Sequence, residues 1–172
     1  MPRYSVIIDK GDYMDIFTVS FFGHREISDI IETEKRLCMI VRELINTKEY
    51  VEFLVGRNGA FDMIVSSVIH RAMKECDYGN AAHILVLPYP TAEYRDNADS
   101  YQRYYSEIEI CEQSAVAHFR AAIDIRNKAM IDRSDMVVCC IERKSGGAYK
   151  AVQYAEKQHK TVTYIFPPDV FR

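Results

Sequence analysis

Residues 134–158, "SDMVVCCIERKSGGAYKAVQYAEKQ", contain the pattern that best predicts the fold. The segment from Asp135 to Ile141 is almost continuously apolar, as a strand buried on both faces of a sheet requires. A charged loop follows it, then the pair Gly146-Gly147, then a segment in which apolar residues recur at helical spacing. This order of strand, glycine-bearing loop and helix is typical of nucleotide-binding α/β proteins.

The rest of the chain repeats the alternation of strands and helices. The pattern predicts strands at residues 15–22, 50–56, 82–90, 106–111, 135–141 and 160–166. It predicts helices at residues 30–47, 57–75, 117–135 and 147–158, with Ser28 as a cap near the start of the first. Alternating elements of this length favour βαβ units. We therefore expect the α/β class, with a Rossmann-like three-layer α/β/α architecture and a mostly parallel sheet.

Length and composition are those of one compact domain. The chain has 172 residues, 48% of them hydrophobic, and we expect a single domain over residues 1–172. Residues 1–14 are an uncertain N-terminal extension, which either adds an edge strand through "YSVIID" (4–9) or lies over the core. No apolar run is long enough to predict a membrane span, and the N-terminus lacks the pattern of a signal peptide. The predicted location is cytoplasmic.

Charge and cysteine content narrow the classes of partner. The formal net charge is −3 and no basic run is present. Because nucleic-acid binding depends on positive charge, nucleic acid is not an expected partner. The five cysteines show no paired metal-ligand spacing and are predicted to be reduced thiols, with Cys139 and Cys140 on opposite faces of a buried strand. No metal and no cofactor are predicted.

Polar residues gather in three loops that follow predicted strands. Because ligands of open parallel sheets bind beyond the carboxyl ends of the strands, these loops are the candidate site. Glycines there let backbone amides approach a ligand, and a helix N-terminus attracts phosphate. The loop residues are Gly23, His24 and Arg25 in the first loop, Gly56, Asn58, Gly59 and Asp62 in the second, and Ser145, Gly146 and Gly147 in the third.

Several of these residues have a second interpretation that the sequence leaves open. The glycines also suit ordinary turns, and His24 also suits an exposed surface position. Asp62 either complements the dipole of the helix that it begins or accepts hydrogen bonds from ribose hydroxyls. The tyrosines between residues 89 and 105 are either ordinary core and surface aromatics or a lid on which a base stacks.

Four ordered segments resemble the SLOG superfamily, the group that joins the DprA/SMF and Lonely Guy (LOG) proteins. They are "TVSFFGHREI", "FLVGRNGAFDMIVSSVIHRAMKE", "ILVLPYP" and "RNKAMIDRSDMVVCCIERKSGGAYKAVQYAEKQHKTVTYI", and they cover most of residues 18–165. The nearest branch is similar to the small YpsA-like proteins of unknown function. The resemblance implies a Rossmann-like fold and a nucleotide-derived ligand. It also implies that Arg126 and Asn127 face the site from the helix predicted at residues 117–135, and that Gly146 and Gly147 hold phosphate.

The resemblance also bears on catalysis. LOG hydrolases carry "PGGxGTxxE", whose glutamate takes part in cleavage of an N-glycosidic bond, whereas this chain has "SGGAYKAVQ" with Val152 and Gln153 in the glutamate region. Asp62 and Glu142 are the only weak candidates for a catalytic acid, so an enzyme is the less favoured interpretation.

The sequence therefore predicts a protein that binds a nucleotide-type small molecule, such as an ADP-ribose-like or NAD-like compound or a nucleoside monophosphate, as a sensor, carrier or sequestering protein. The alternatives are an N-glycosidic hydrolase of nucleotides and a non-catalytic interaction scaffold. A homo-oligomer is expected, with a symmetric dimer as the default. DNA binding by analogy with DprA is not expected, because fold alone does not transfer function.

Overall fold

The computed structural model describes residues 7–8, 12–76 and 78–167. The elements follow in the order β1 (Ile7–Ile8), β2 (Asp12–Tyr13), β3 (Ile16–Gly23), α1 (Ile30–Thr47), β4 (Tyr50–Val55), α2 (Ala60–Cys76), β5 (Ala81–Leu87), α3 (Ala92–Asp96), α4 (Ala98–Tyr104), β6 (Glu107–Ile110), α5 (Glu112–Ala115), α6 (Phe119–Asp132), β7 (Met136–Cys140), α7 (Gly146–Lys157) and β8 (Thr161–Tyr164).

Six strands form one parallel sheet in the order β6-β5-β4-β3-β7-β8. From β3 the chain adds β4, β5 and β6 on one side, then returns to place β7 and β8 on the other. Strand β3 therefore has β4 and β7 as neighbours, with Val19 opposite both Phe53 and Met136. The order of the strands reverses between β3 and β7, and such a reversal opens a crevice at the carboxyl edge of the sheet. The predicted α/β class and parallel sheet are confirmed.

The helices cover both faces of the sheet and create two apolar cores. One core lies between the sheet and helices α1 and α2, and the other lies between the sheet and helices α6 and α7. Neighbouring residues of a strand belong to different cores, as the two-residue period of a strand requires. Cys139 packs in the second core and Cys140 in the first, and both are fully buried. The prediction that these thiols are core residues on opposite faces is confirmed.

Local signals explain where the structure departs from the sequence-based boundaries. Helix α1 is capped by Asp29, whose carboxylate accepts the Glu32 N–H at 3.0 Å, so the prediction of Ser28 as the cap is wrong. Residues 7–8 pair with residues 12–13 in a separate antiparallel hairpin and do not extend the large sheet. The remainder of the predicted edge strand, residues 4–6 and 9, lies outside the described residues.

Within residues 7–8, 12–76 and 78–167, no helix combines the length and the apolar character needed to cross a bilayer.

Candidate functional site

A cavity of about 280 Å³ opens at the carboxyl edge of the sheet, where the strand order reverses. Its walls come from the ends of β3 and β4, the first turns of α2 and α7, the inner face of α6 and the loop after β7. The lining residues are Phe21, Phe22, Gly23, His24, Arg25, Gly56, Asn58, Asp62, Ile123, Arg126, Asn127, Met130, Arg143, Gly146, Gly147 and Ala148. The topology thus brings together side chains from positions 21 to 148 of the chain.

All the predicted ligand-binding residues line this cavity except Gly59 and Ser145. Gly59 lies directly behind it, because a Cβ on Gly59 would stand 2.5 Å from the Cα of Arg25. The Ala60 N–H also donates to the Arg25 carbonyl at 2.9 Å. The close approach at Gly59 therefore joins the loop that carries Arg25 to the start of α2.

Glu142 points away from the cavity. Its two carboxylate oxygens accept the backbone N–H and the hydroxyl of Ser28, at 2.8 and 2.7 Å. Glu142 is absent from the cavity lining, and its contacts join the loop after β7 to the loop after β3. This arrangement gives Glu142 a structural role between the two loops that flank the crevice.

Arg126 forms the buried wall of the cavity. Its side chain on α6 is 3% exposed, and its Nη1 donates to the carbonyl of Val86 at 2.7 Å. The Nε–H has no hydrogen-bond partner among the described residues, and burial lowers the pKa of the guanidinium although nearby Asp62 raises it. A buried guanidinium that lines a cavity and keeps an unpartnered N–H suits an anion as its partner.

Gly56 makes room for this guanidinium at the end of β4. A Cβ at that position would lie 2.8 Å from Arg126 Nη1 and 3.0 Å from Asp62 Oδ2. Only hydrogen fits between the strand end and the two charged groups. Gly56 is therefore a spacing residue for the charges of the site, in addition to being a turn residue.

Asp62 lies in the first turn of α2, where its Oδ2 accepts the Asn58 N–H at 2.8 Å. Burial raises the pKa of this carboxyl, while the Asn58 hydrogen bond and the charge of Arg126 oppose the rise. One oxygen of Asp62 thus fixes the start of the helix. Asp62 is also the only carboxylate that lines the cavity within the described part of the chain.

His24 is buried, so the surface interpretation of this residue is wrong. It is 4% exposed, and its Nε2 lies 3.3 Å from the backbone nitrogen and 3.2 Å from the carbonyl oxygen of Arg143. Burial and the charge of Arg143 lower the pKa of His24, which favours the neutral imidazole at neutral pH. The His24 ring therefore holds the loop after β7 against the loop after β3.

The start of α7 offers unpaired backbone donors to the cavity. Ser145 is the N-cap but its hydroxyl makes no capping hydrogen bond, so it leaves the first amides of the helix free. Gly146 has φ +88°, a backbone conformation that residues with a Cβ rarely adopt. A Cβ on Gly147 would meet only open space. Free amides and the helix dipole together attract an anion at this position.

Arg143 is the main residue of the site that sequence reasoning missed. It is exposed, follows Glu142 in the loop after β7 and lines the same cavity as Arg25 and Arg126. The signal was present in the basic pair "RK" directly before the serine and glycines. The apolar lining of Phe21, Ile123 and Met130 was also missed, because one sequence does not show which end of an apolar segment faces a crevice.

The tyrosine-rich segment lies elsewhere. It forms α3 and α4, and Tyr101 and Tyr105 are buried in the core beside α2. Arg57 stacks over Tyr101 at 4.8 Å, donates to the Tyr105 hydroxyl and pairs with Glu93 at 2.9 Å. None of these tyrosines lines the cavity, so the core interpretation fits this segment and the lid interpretation does not.

Comparison with known proteins identifies the fold. No family model matches the chain, and no curated protein matches it by sequence. Two solved structures match in fold. DNA processing protein A from Helicobacter pylori, studied for its unique single-stranded DNA binding mode, has a TM-score of 0.58 at 19% identity over 86% of this chain. DNA processing protein A (DprA) from Streptococcus pneumoniae has a TM-score of 0.59 at 16% identity over 87% of this chain.

This chain covers 64% of the Helicobacter protein and 50% of the Streptococcus protein. The predicted resemblance to the SLOG group is supported at the level of the fold, and the YpsA-like branch is not confirmed. The Helicobacter neighbour binds single-stranded DNA, a polymer. This finding overturns the predictions that the ligand is a nucleotide-type small molecule and that nucleic acid is an improbable partner. The hydrolase alternative falls with them, and the scaffold alternative is not confirmed.

The prediction against nucleic acid was wrong because it relied on the net charge of the chain, whereas binding of a phosphate depends on the charge around the binding site. A formal charge of −3 averages over the whole surface, whereas phosphates respond to the field where they bind. Three guanidinium groups, those of Arg25, Arg126 and Arg143, line one cavity together with the single carboxylate of Asp62. This part of the molecule is cationic although the chain is acidic.

Proposed function

We propose that this protein binds single-stranded DNA and that the cavity at the strand reversal receives one nucleotide of the strand with its phosphate. The observation that carries the proposal is the convergence of Arg25, Arg126 and Arg143 on the N-terminus of α7. Guanidinium groups and free helix amides both bind phosphate in proteins. The DprA fold, found in a protein that binds single-stranded DNA, supports the same conclusion.

The residues divide the work of binding. Arg25 and Arg143 are exposed at the rim and attract the phosphate, while Arg126 meets it at the buried wall. The amides of Gly146 and Gly147 complete the cradle, and Asn127 offers a side-chain amide beside them. The apolar wall of Phe21, Ile123 and Met130 excludes water and receives the sugar or base.

The shape of the site favours a single strand over a duplex. A nucleotide reaches Arg126 only by entering the cavity, and a nucleotide within a stacked duplex does not enter a cavity without first leaving the stack. We therefore expect duplex DNA to bind more weakly than a single strand of the same sequence. A single-stranded RNA of that sequence tests whether the 2′-hydroxyl is accepted.

Fluorescence anisotropy with labelled single-stranded DNA, duplex DNA and single-stranded RNA tests this function. Arg25→Gln removes an exposed guanidinium that makes no ion pair within the described residues. It is expected to cost about 1.5–3 kcal/mol, or roughly a 10- to 160-fold rise in Kd. Arg120→Gln is the matched control, because Arg120 is exposed on α6 outside the cavity. Absence of salt-dependent binding by the wild-type protein, or equal binding by both variants, would contradict the proposal.

Four further predictions from the sequence belong to this proposal. We propose that the chain is one SLOG-like domain over residues 1–172 and that it belongs to the YpsA-like branch. The support for one domain is the six-stranded sheet, whose two faces are both covered by helices. We also propose a cytoplasmic homo-dimer, which light scattering of the purified protein tests directly.

A further inference from the structure

A second cavity of about 270 Å³ adjoins the first along the seam between α6 and α7. Asn127 and Gly147 line both cavities, so the second begins where the first ends. Its remaining lining residues are Asp124, Lys128, Lys150, Ala151, Gln153, Tyr154 and Lys157. We call this second cavity the α6–α7 groove.

The α6–α7 groove is cationic. Lys128, Lys150 and Lys157 are exposed in it, against the one carboxylate of Asp124. None of the three lysines takes part in the ion pairs found within 4.0 Å among the described residues. Lysines on outer helices are commonly only solvated, but these three share a groove that is continuous with the proposed phosphate site.

An aromatic ring is fixed in the same groove. The Tyr154 hydroxyl donates to Asp132 Oδ1 at 2.7 Å, and Lys128 Nζ lies 5.4 Å from the centre of the Tyr154 ring. A positively charged groove with an aromatic side chain is the combination that binds single-stranded nucleic acid without reading its sequence. The hydrogen bond to Asp132 holds the ring in place.

We propose that the DNA strand leaves the first cavity past Asn127 and Gly147 and continues along the α6–α7 groove. This inference rests on the proposed function. Its phosphates then lie against Lys128, Lys150 and Lys157. From Gly147 to Lys157 the helix rises about 15 Å, which at the 3.4 Å spacing of a stacked strand is at most about four nucleotides. An open path of this kind suits a polymer, since a small ligand needs only one cavity.

Oligonucleotide length separates the two cavities in an experiment. We compare labelled dinucleotide and dodecanucleotide thymidine strands, binding to the wild-type protein and to the triple variant Lys128→Gln, Lys150→Gln, Lys157→Gln. The matched control removes three positive charges from α1 and α2, on the opposite face of the sheet, by Lys35→Gln, Arg42→Gln and Lys74→Gln. Circular dichroism and thermal unfolding establish that each variant is folded.

The groove variant is expected to bind the dodecanucleotide roughly 10- to 100-fold more weakly at 0.1 M salt, with a salt slope smaller by about 2, since each lysine contributes about 0.7. Its affinity for the dinucleotide is expected to stay within about twofold of the wild type. The control variant is expected to keep the wild-type slope and affinity for both strands.

Failure of the groove and failure of the proposed function look different. If the wild-type protein binds the dodecanucleotide and the groove variant binds it with the same affinity and slope, the groove proposal is wrong and the first cavity stands. If the wild-type protein binds neither strand, both proposals are wrong. Tighter binding of an acidic peptide than of the dodecanucleotide at the same salt concentration, with the same dependence on the three lysines, would assign the groove to a protein partner instead and overturn the proposal.

Discussion

Replacing Gly56 by alanine tests the geometry of the proposed site without changing any charge. The added methyl carbon would lie 2.8 Å from Arg126 Nη1 and 3.0 Å from Asp62 Oδ2. Ordinary contacts of carbon are about 3.5 Å or longer, so the Asp62 carboxylate must withdraw by about 0.5 Å and the guanidinium by about 0.7 Å. This movement stretches the 2.7 Å hydrogen bond from Nη1 to the Val86 carbonyl.

We expect Gly56→Ala to weaken DNA binding more than it lowers the free energy of unfolding. Overpacking of a core costs about 1–3 kcal/mol, but the atom that yields at Gly56 is the tip of a long side chain, which moves more readily than a ring or backbone. Alanine also gains about 0.4–1 kcal/mol by restricting the unfolded chain, so we expect a net loss of at most about 1 kcal/mol. That loss corresponds to a fall in Tm of about 2–4 °C for a chain of this size.

Binding of single-stranded DNA should suffer more. A displaced Arg126 loses a charge-assisted contact worth about 1.5–3 kcal/mol, which raises Kd roughly 10- to 160-fold. Thermal unfolding and anisotropy on the same Gly56→Ala sample measure both effects. A folded variant that binds DNA with the wild-type Kd would refute the assignment of Arg126 as a phosphate ligand. A variant that loses more than about 3 kcal/mol of stability would refute the argument that the guanidinium can yield.

Three other predictions concern glycine and histidine. Gly23→Ala is expected to lower the free energy of unfolding by about 2–3 kcal/mol in urea titrations, because the new methyl lies 2.2 Å from Cγ of the buried Phe61 ring; an unchanged midpoint would contradict this packing. Burial lowers the pKa of His83 to about 3, and neither ring nitrogen has a hydrogen-bond partner in the part of the chain that the structure describes. The unfolded chain therefore binds a proton on His83 more tightly than the folded chain does. The contribution of neutral His83 to the free energy of unfolding is complete above pH 6.5 and falls by about 3 kcal/mol between pH 7 and pH 4. In urea titrations His83→Leu should flatten this dependence on pH, whereas exposed His159→Asn should not. NMR titration of His24 should give a pKa below 6.5 in the free protein and a higher one with DNA bound, so that binding strengthens as pH falls; an equal pKa in both states would place the phosphate elsewhere.

The layers of the fold were predictable from the sequence because apolar periodicity is local information. The run at residues 135–141 and the helical spacing after Gly147 specify a buried strand and an amphipathic helix, and the structure has β7 and α7 there. The same reasoning predicted helix α1 over residues 30–47, as observed. It missed Asp29 as the cap, because Ser28 and Asp29 are both good capping residues and only the backbone geometry decides between them.

The order of the strands was not predictable in this way. Placing β7 beside β3 depends on contacts between residues more than 100 positions apart, such as the pairing of Val19 with Met136. That placement creates the crevice and brings Arg143 to the same cavity as Arg25. Sequence reasoning placed Arg25 and Arg126 at the site but missed Arg143, because its position at the cavity depends on the order of the strands.

An NMR titration shows directly whether Arg126 and the start of α7 receive a phosphate of single-stranded DNA. Among the described residues the Nε–H of Arg126 has no hydrogen-bond partner, so its signal is sensitive to an anion bound at the guanidinium. On addition of an unlabelled thymidine dodecanucleotide, we predict saturable shifts of the Arg126 Nε–H and of the Gly146 and Gly147 amides. Saturating DNA that leaves all three signals in place would contradict the account.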